Sequence, residues 1–135
     1  MQNINYNKKW IKAFCGGLSA EQMMKAGIGQ DGGFLWHAFS YNFVSCLKGD
    51  DARKAYDDID KSGAKQSFYT IDPIYKKFSI SNEEPIADEF MTAKQIDESD
   101  EVEIYIIGKD YKWCYVRTHE SLCGPYFCYV GNKLR

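Results

Sequence analysis

The 135-residue chain has no apolar run approaching the ~20 residues of a membrane-spanning helix. Its longest apolar stretches are broken within a few residues by Lys, Asp or Asn. Proline is scarce, at Pro73, Pro85 and Pro125 only, and no repeat, low-complexity tract or linker divides the chain. One domain over 1–135 is therefore expected, since two would each lie close to the lower size limit. Neither G-x-x-x-x-G-K-[ST] nor G-x-S-x-G occurs, so neither a phosphate-cradling loop nor a strained serine elbow is indicated. A net charge of -2 excludes a strongly basic nucleic-acid binder. The first residues, Met1 to Tyr6, lack the apolar core of a secretory signal, and the expected compartment is the cytosol. The five cysteines, Cys15, Cys46, Cys114, Cys123 and Cys128, are odd in number and scattered. That is not a disulfide framework, and reduced, mostly buried thiols are expected.

Rings and unevenly placed charge are what the chain does have. It is 16% aromatic, with 3 Trp, 10 Tyr and 8 Phe, enough for a core built on large rings. At 27% charged and 44% hydrophobic it is not globally disordered. Between Glu83 and Glu103 lie nine acids, Glu83, Glu84, Asp88, Glu89, Asp97, Glu98, Asp100, Glu101 and Glu103, against the single base Lys94. That window carries -8, while the other 114 residues hold 16 bases against 10 acids, or +6. Such a window is either a solvated surface or an acidic face for a basic partner, where opposed potentials steer association and set specificity.

Local patterns predict an α+β order. Trp10, Ile11 and Phe14 recur at helical spacing over Asn7 to Phe14, and Gly16-Gly17 stops the run. Ser19 and Gln22 form a capping-box pattern opening a helix that should end at Gly27. The ring-rich run Phe34 to Phe43 suits a buried strand. Asp50 or Asp51 can cap a helix carrying Ala52, Ala55, Tyr56 and Ile59 on one face and ended by Gly63. Ser67 to Ile71 and Tyr75 to Ile80 read as strands, and Ile86 to Ile96 as a short helix with Phe90 and Ala93 inward. The clearest signal is a β-hairpin. Its arms run from Val102 to Ile107 and from Tyr111 to His119, alternating about a turn at Gly108-Lys109-Asp110. Tyr126 to Val130 adds a further strand. The expected fold is a single α+β domain: a mostly antiparallel sheet with a C-terminal hairpin and two to four helices packed on one face.

Most constellations that suggest chemistry fail on context. Gly27 to Gly32 matches G-x-G-x-x-G, but a helix precedes it and a strand follows, the reverse of a dinucleotide site. Cys114, His119, Cys123 and Cys128 are the only metal-like group. They lack the closely spaced ligand pairs of a structural zinc site, and alternation along one strand turns Cys114 and His119 to opposite faces. No metal or cofactor is expected. Cysteine catalysis would need a thiolate beside a His base, and nothing near His37 or His119 marks a nucleophile. The basic-aromatic clusters Lys8-Lys9-Trp10 and Tyr75-Lys76-Lys77-Phe78 are too small for a single-strand binder.

Three blocks carry a resemblance: Leu35-Trp36-His37-Ala38-Phe39-Ser40-Tyr41; Leu47 to Tyr56; and Asp110 to Glu120, continued by Gly124-Pro125-Tyr126-Phe127. Together they resemble a bacterial family of small proteins known only as a domain of unknown function. The resemblance implies a shared fold and carries over no catalytic residue.

Within those blocks Trp36, Phe39, Tyr56, Trp113 and Phe127 are core candidates, each ring contributing on the order of 2–3 kcal/mol. The residues His37, Arg117, His119, Glu120 and Tyr126 form a candidate pocket if the two histidines meet across the sheet. Two functional classes follow. The first is a binding protein without chemistry of its own, such as an inhibitor or immunity protein. It would neutralise a basic toxin, for instance a nuclease, through Asp88, Glu89, Asp97, Glu98, Asp100 and Glu101, because enzymes that hold phosphates are basic. The alternative is a small enzyme or ligand-binding protein built around His37 and His119.

Overall fold

The computed structural model describes residues 6–29, 35–71, 78–80, 83–101, 103–118, 120 and 124–131. The N-terminal helices form where spacing and capping predict them. In α1 (Tyr6–Phe14) Trp10 and Phe14, four residues apart, turn into the core. Helix α2 (Ala20–Ala26) starts with the full capping box. Ser19 Oγ accepts from the Gln22 amide at 3.1 Å, and Gln22 Oε1 accepts from the Ser19 amide at 2.9 Å. Gly27 ends the helix at φ +69°, a left-handed conformation that glycine takes without a Cβ penalty.

The expected strand over Phe34 to Phe43 is instead a short helix, α3 (His37–Ser40), with Phe34 outside the described residues. Ala38 and Phe39 in this helix are buried, as is Leu35 in the turn that leads into it, whose carbonyl accepts from the Ala38 amide at 3.2 Å. Ring content favours a strand, but here packing against α1 and the sheet overrides that propensity.

The sheet is assembled from β1 (Leu47–Lys48), β2 (Lys65–Ile71), β3 (Phe78–Ile80), β4 (Glu84–Pro85), β5 (Ile104–Ile107), β6 (Trp113–Arg117) and β7 (Tyr126–Tyr129). Their order is β1-β7-β6-β5-β2-β3, β4 also pairs β2, and all the ladders are antiparallel. The C-terminal hairpin is present as β5 and β6, with Ile104 opposite Arg117 and Ile107 opposite Cys114. Its turn places Asp110 and Tyr111 at positive φ. Val102 and His119, the expected ends of its arms, lie outside the described residues, as does 75–77 of the expected strand before Ile80.

Helix α4 (Gly49–Asp58) has Lys48, not an aspartate, at its N-cap. Asp50 and Asp51 occupy its first turn, where the helix dipole favours them. The helix ends at Asp58, short of Gly63. The expected helix over Ile86 to Ile96 divides into a 3-10 turn (Asp88–Phe90) and helix α5 (Ala93–Asp97). The division has a local cause. Thr92 and Gln95 form a second capping box, which starts a new helix.

The α+β class and antiparallel sheet are as expected, but the helices cover both faces, not one. Tyr105, Ile107, Cys114, Val116, Tyr126 and Cys128 pack with Trp10, Phe14, Ala26 and Phe39 from α1, α2 and α3. Ile104, Ile106, Trp113, Tyr115 and Phe127 pack with Ala52, Tyr56, Ala93 and Ile96 from α4 and α5. The reason lies in β5 and β6, whose residues are apolar at both parities. Ile104 to Ile107 are all buried, as are Trp113 to Val116, and a strand apolar on both sides must be covered twice. Ring pairs hold each layer: Trp10 edge-on to Tyr105 on one face, Tyr56 stacked on Tyr115 at 4.3 Å on the other.

Two outcomes test this core. Trp113 is buried between Tyr56 and Phe127. Trp113→Ala should cost about 3–5 kcal/mol in urea unfolding. A Cβ on Gly108 would stand 2.2 Å from Trp113 Nε1, so Gly108→Ala should also destabilise by displacing the indole. Parental midpoints for both would contradict the packing.

The second concerns alkaline pH. Burial pushes the Cys15 thiol from its ordinary 9.0 up to about 12 and Cys46 up to about 11. It also raises Cys114 and the Tyr56 and Tyr115 hydroxyls. The folded chain then keeps protons that the unfolded chain releases, so stability declines as pH rises from 9.0 toward 12. Denaturation midpoints taken across that window should fall steadily.

Candidate functional site

Helix α4 fastens the acidic window to the sheet. Arg53, Tyr56 and Asp57 share one face of it by their i, i+3, i+4 spacing. Arg53 Nε donates to Asp97 Oδ2 at 3.0 Å while its Nη1 reaches Asp50 Oδ1 at 2.8 Å. The buried Tyr56 hydroxyl donates to the Phe90 carbonyl, and Asp57 Oδ1 accepts from the Ala93 amide at 2.8 Å. From β6, Arg117 Nη2 donates to Ser99 Oγ at 3.0 Å and to the Glu101 carbonyl. The segment from 88 to 101 is thereby tied from two elements.

Asp88, Glu89, Asp97, Glu98, Asp100 and Glu101 are all exposed. Four of them, Glu89, Glu98, Asp100 and Glu101, line one open depression of about 390 Å³ with Phe90, Gln95 and Ser99. Among the described residues none of these four carboxylates forms an ion pair. Asp97 is different because it is paired with Arg53. Asp88 lies in the 3-10 turn beside the depression.

The candidate pocket residues are not all brought together. Val116 pairs with Tyr126 across β6 and β7, so Tyr126 lies on the face of α1 to α3. Arg117, one residue on, is turned to the opposite face, beside Ser99. The sheet thus separates Arg117 from His37 and Tyr126. Tyr126 is 3% exposed and stacks near Trp36, which makes it core. His37 is half-buried, its Nδ1 3.0 Å from the Ala26 carbonyl and its ring stacked on Tyr41. Glu120 is exposed, and its backbone bonds the Thr118 hydroxyl. His119 lies outside the described residues.

Cys114 and Cys128 stand opposite one another on β6 and β7, with Cys123 outside the described residues. Cys15, Cys46, Cys114 and Cys128 are free thiols, and no group of three or more potential metal ligands converges among the described residues. Buried thiols held protonated are poor nucleophiles and poor ligands.

Sequence reasoning missed a buried carboxylate. Glu103 counts toward the acidic window but is only 2% exposed, and Trp36 Nε1 donates to its Oε1 at 2.8 Å. A signal was present: Glu103 shares parity with Tyr105 and Ile107, so the pleat turns it into the same core as Trp36. Glu83 is withdrawn too, with its side chain 13% exposed and 3.8 Å from Lys9.

A family model described as Domain of unknown function (DUF4275) matches residues 3–127. No curated protein matches the chain, and no solved structure does.

The Trp36–Glu103 bond yields a graded expectation. Glu103→Ala strands a buried indole N–H and should cost about 2–4 kcal/mol, while Glu103→Gln keeps an acceptor and should cost less. Thermal melts of the two variants check the order, and equal losses would refute the bond as its cause.

Proposed function

The chain belongs to the DUF4275 family, and from its geometry we propose a binding protein whose acidic face, over 88–101, takes a basic protein partner. The carrying observation is the depression formed by Glu89, Glu98, Asp100 and Glu101 around Phe90, with no ion pair to these four carboxylates among the described residues. Lys or Arg side chains entering it would meet carboxylates at their heads and the edge of an apolar ring along their stems. A cytoplasmic immunity or inhibitor protein fits this surface, because a toxin that grips nucleic-acid phosphates presents clustered cations. Such a protein needs no catalytic group of its own. Opposed charge would speed its encounter with the toxin over about one Debye length, ~8 Å at physiological salt.

The test reverses Glu89, Glu98, Asp100 and Glu101 to Lys together. All four are exposed, so the melting temperature should stay near the parental value. Binding to the product of the neighbouring gene, measured by interferometry, should weaken by several kcal/mol. For the parent, added salt should slow association more than it speeds dissociation. A reversed variant that binds with parental affinity would reduce these acids to a solvated surface.

A further inference from the structure

The two arginines that hold the acidic segment act differently on its charge. Arg53 spends its guanidinium on carboxylates, Asp97 and Asp50, and so neutralises what it holds. Arg117 bonds a hydroxyl and a backbone carbonyl, Ser99 Oγ and Glu101 O. Ser99 is fixed in turn, its hydroxyl donating to the Ile96 carbonyl at 2.9 Å at the end of α5. Arg117 therefore sets the course of the backbone from 99 to 101 without engaging the side chains of Glu98, Asp100 or Glu101. We propose that Arg117 is the positioning residue of the acidic face, and that Asp97 belongs to the scaffold and not to the contact surface. This rests on the acidic-face reading. Its physical content is preorganisation: a loop fixed before binding does not lose its freedom on binding.

Charge and position pull in opposite directions at Arg117, which makes the proposal decidable. Arg117→Gln makes the chain one unit more negative, so Coulomb attraction alone would tighten binding of a cation. Loss of the positioning bonds would loosen it. The probe is an oligolysine peptide, titrated into the parent and variant chains at fixed ionic strength. Arg117→Gln should bind about tenfold more weakly, a change of ~1.4 kcal/mol. Amide exchange at Glu98 and Ser99, whose N–H groups bond Lys94 and Ile96 carbonyls, should quicken at least about tenfold. Ser99→Ala, which changes no charge, should weaken the peptide in the same direction by less, and serves if Arg117→Gln does not fold. Asp97→Asn should leave peptide affinity within about twofold of the parent, because Arg53 already engages that carboxylate and it does not line the depression. Unchanged or tighter binding by Arg117→Gln or Ser99→Ala overturns the positioning role while the acidic face stands. Loss of binding in Asp97→Asn overturns the scaffold assignment. A parent chain that does not bind oligolysine overturns the acidic face itself, and the proposal with it.

Discussion

Everything in this fold follows from two central strands that are apolar on both sides. Ile104 to Ile107 in β5 and Trp113 to Val116 in β6 bury every side chain. A sheet with that centre cannot leave a face in water, because each exposed Ile or Trp would forfeit about 2–3 kcal/mol of burial. Helices α1 to α3 close one face and α4 with α5 close the other. The second closure is what matters for the surface. It brings α4 against the 88–97 region, so the helix that seals the core with Ala52 and Tyr56 also anchors Phe90, Ala93 and Asp97 through Tyr56, Asp57 and Arg53.

The acids are sorted by what each position can support. A carboxylate inside a core is tolerable when it accepts a strong hydrogen bond, as Glu103 does from Trp36. One at the edge gains from a cation, as Glu83 does from Lys9 and Asp97 from Arg53. The remaining acids stay in water, where screening keeps their mutual repulsion small. Among the described residues, four acids without an ion pair, Glu89, Glu98, Asp100 and Glu101, gather at one depression, while Glu103, Glu83 and Asp97 are withdrawn into bonds of their own. A window that carries -8 in the chain therefore presents a smaller but more localised charge on the surface.

The two faces also divide chemical character. The face of α1 to α3 collects the described thiols Cys15, Cys114 and Cys128 with Trp10, Trp36 and Phe39. Burial holds the Cys15 and Cys114 thiols protonated well beyond physiological pH, which suits packing and not reactivity. The face of α4 and α5 carries Arg53 and Arg117 at its margin, where both reach the acidic segment. Arg117 and His37 are separated by the sheet, Arg117 turned by the pleat toward Ser99 and His37 held on the other side by Ala26 and Trp36.

The sequence by itself determined what depends on neighbours along the chain. The Ser19–Gln22 capping box, the Gly27 stop, the β5–β6 hairpin and the α+β class are each set by local spacing and local hydrogen bonds. Exposure of Asp88, Glu89, Asp97, Glu98, Asp100 and Glu101 was legible from residue type alone, because charged side chains rarely leave water. Tertiary structure decided what depends on distant partners. It made a helix of His37 to Ser40, put Glu103 beneath Trp36, gave Asp97 to Arg53, and set Arg117 beside Ser99. Each pairs residues 18 or more positions apart or depends on packing against another layer. Periodicity tells which side of a strand a residue occupies. Only the packed layers tell what waits there.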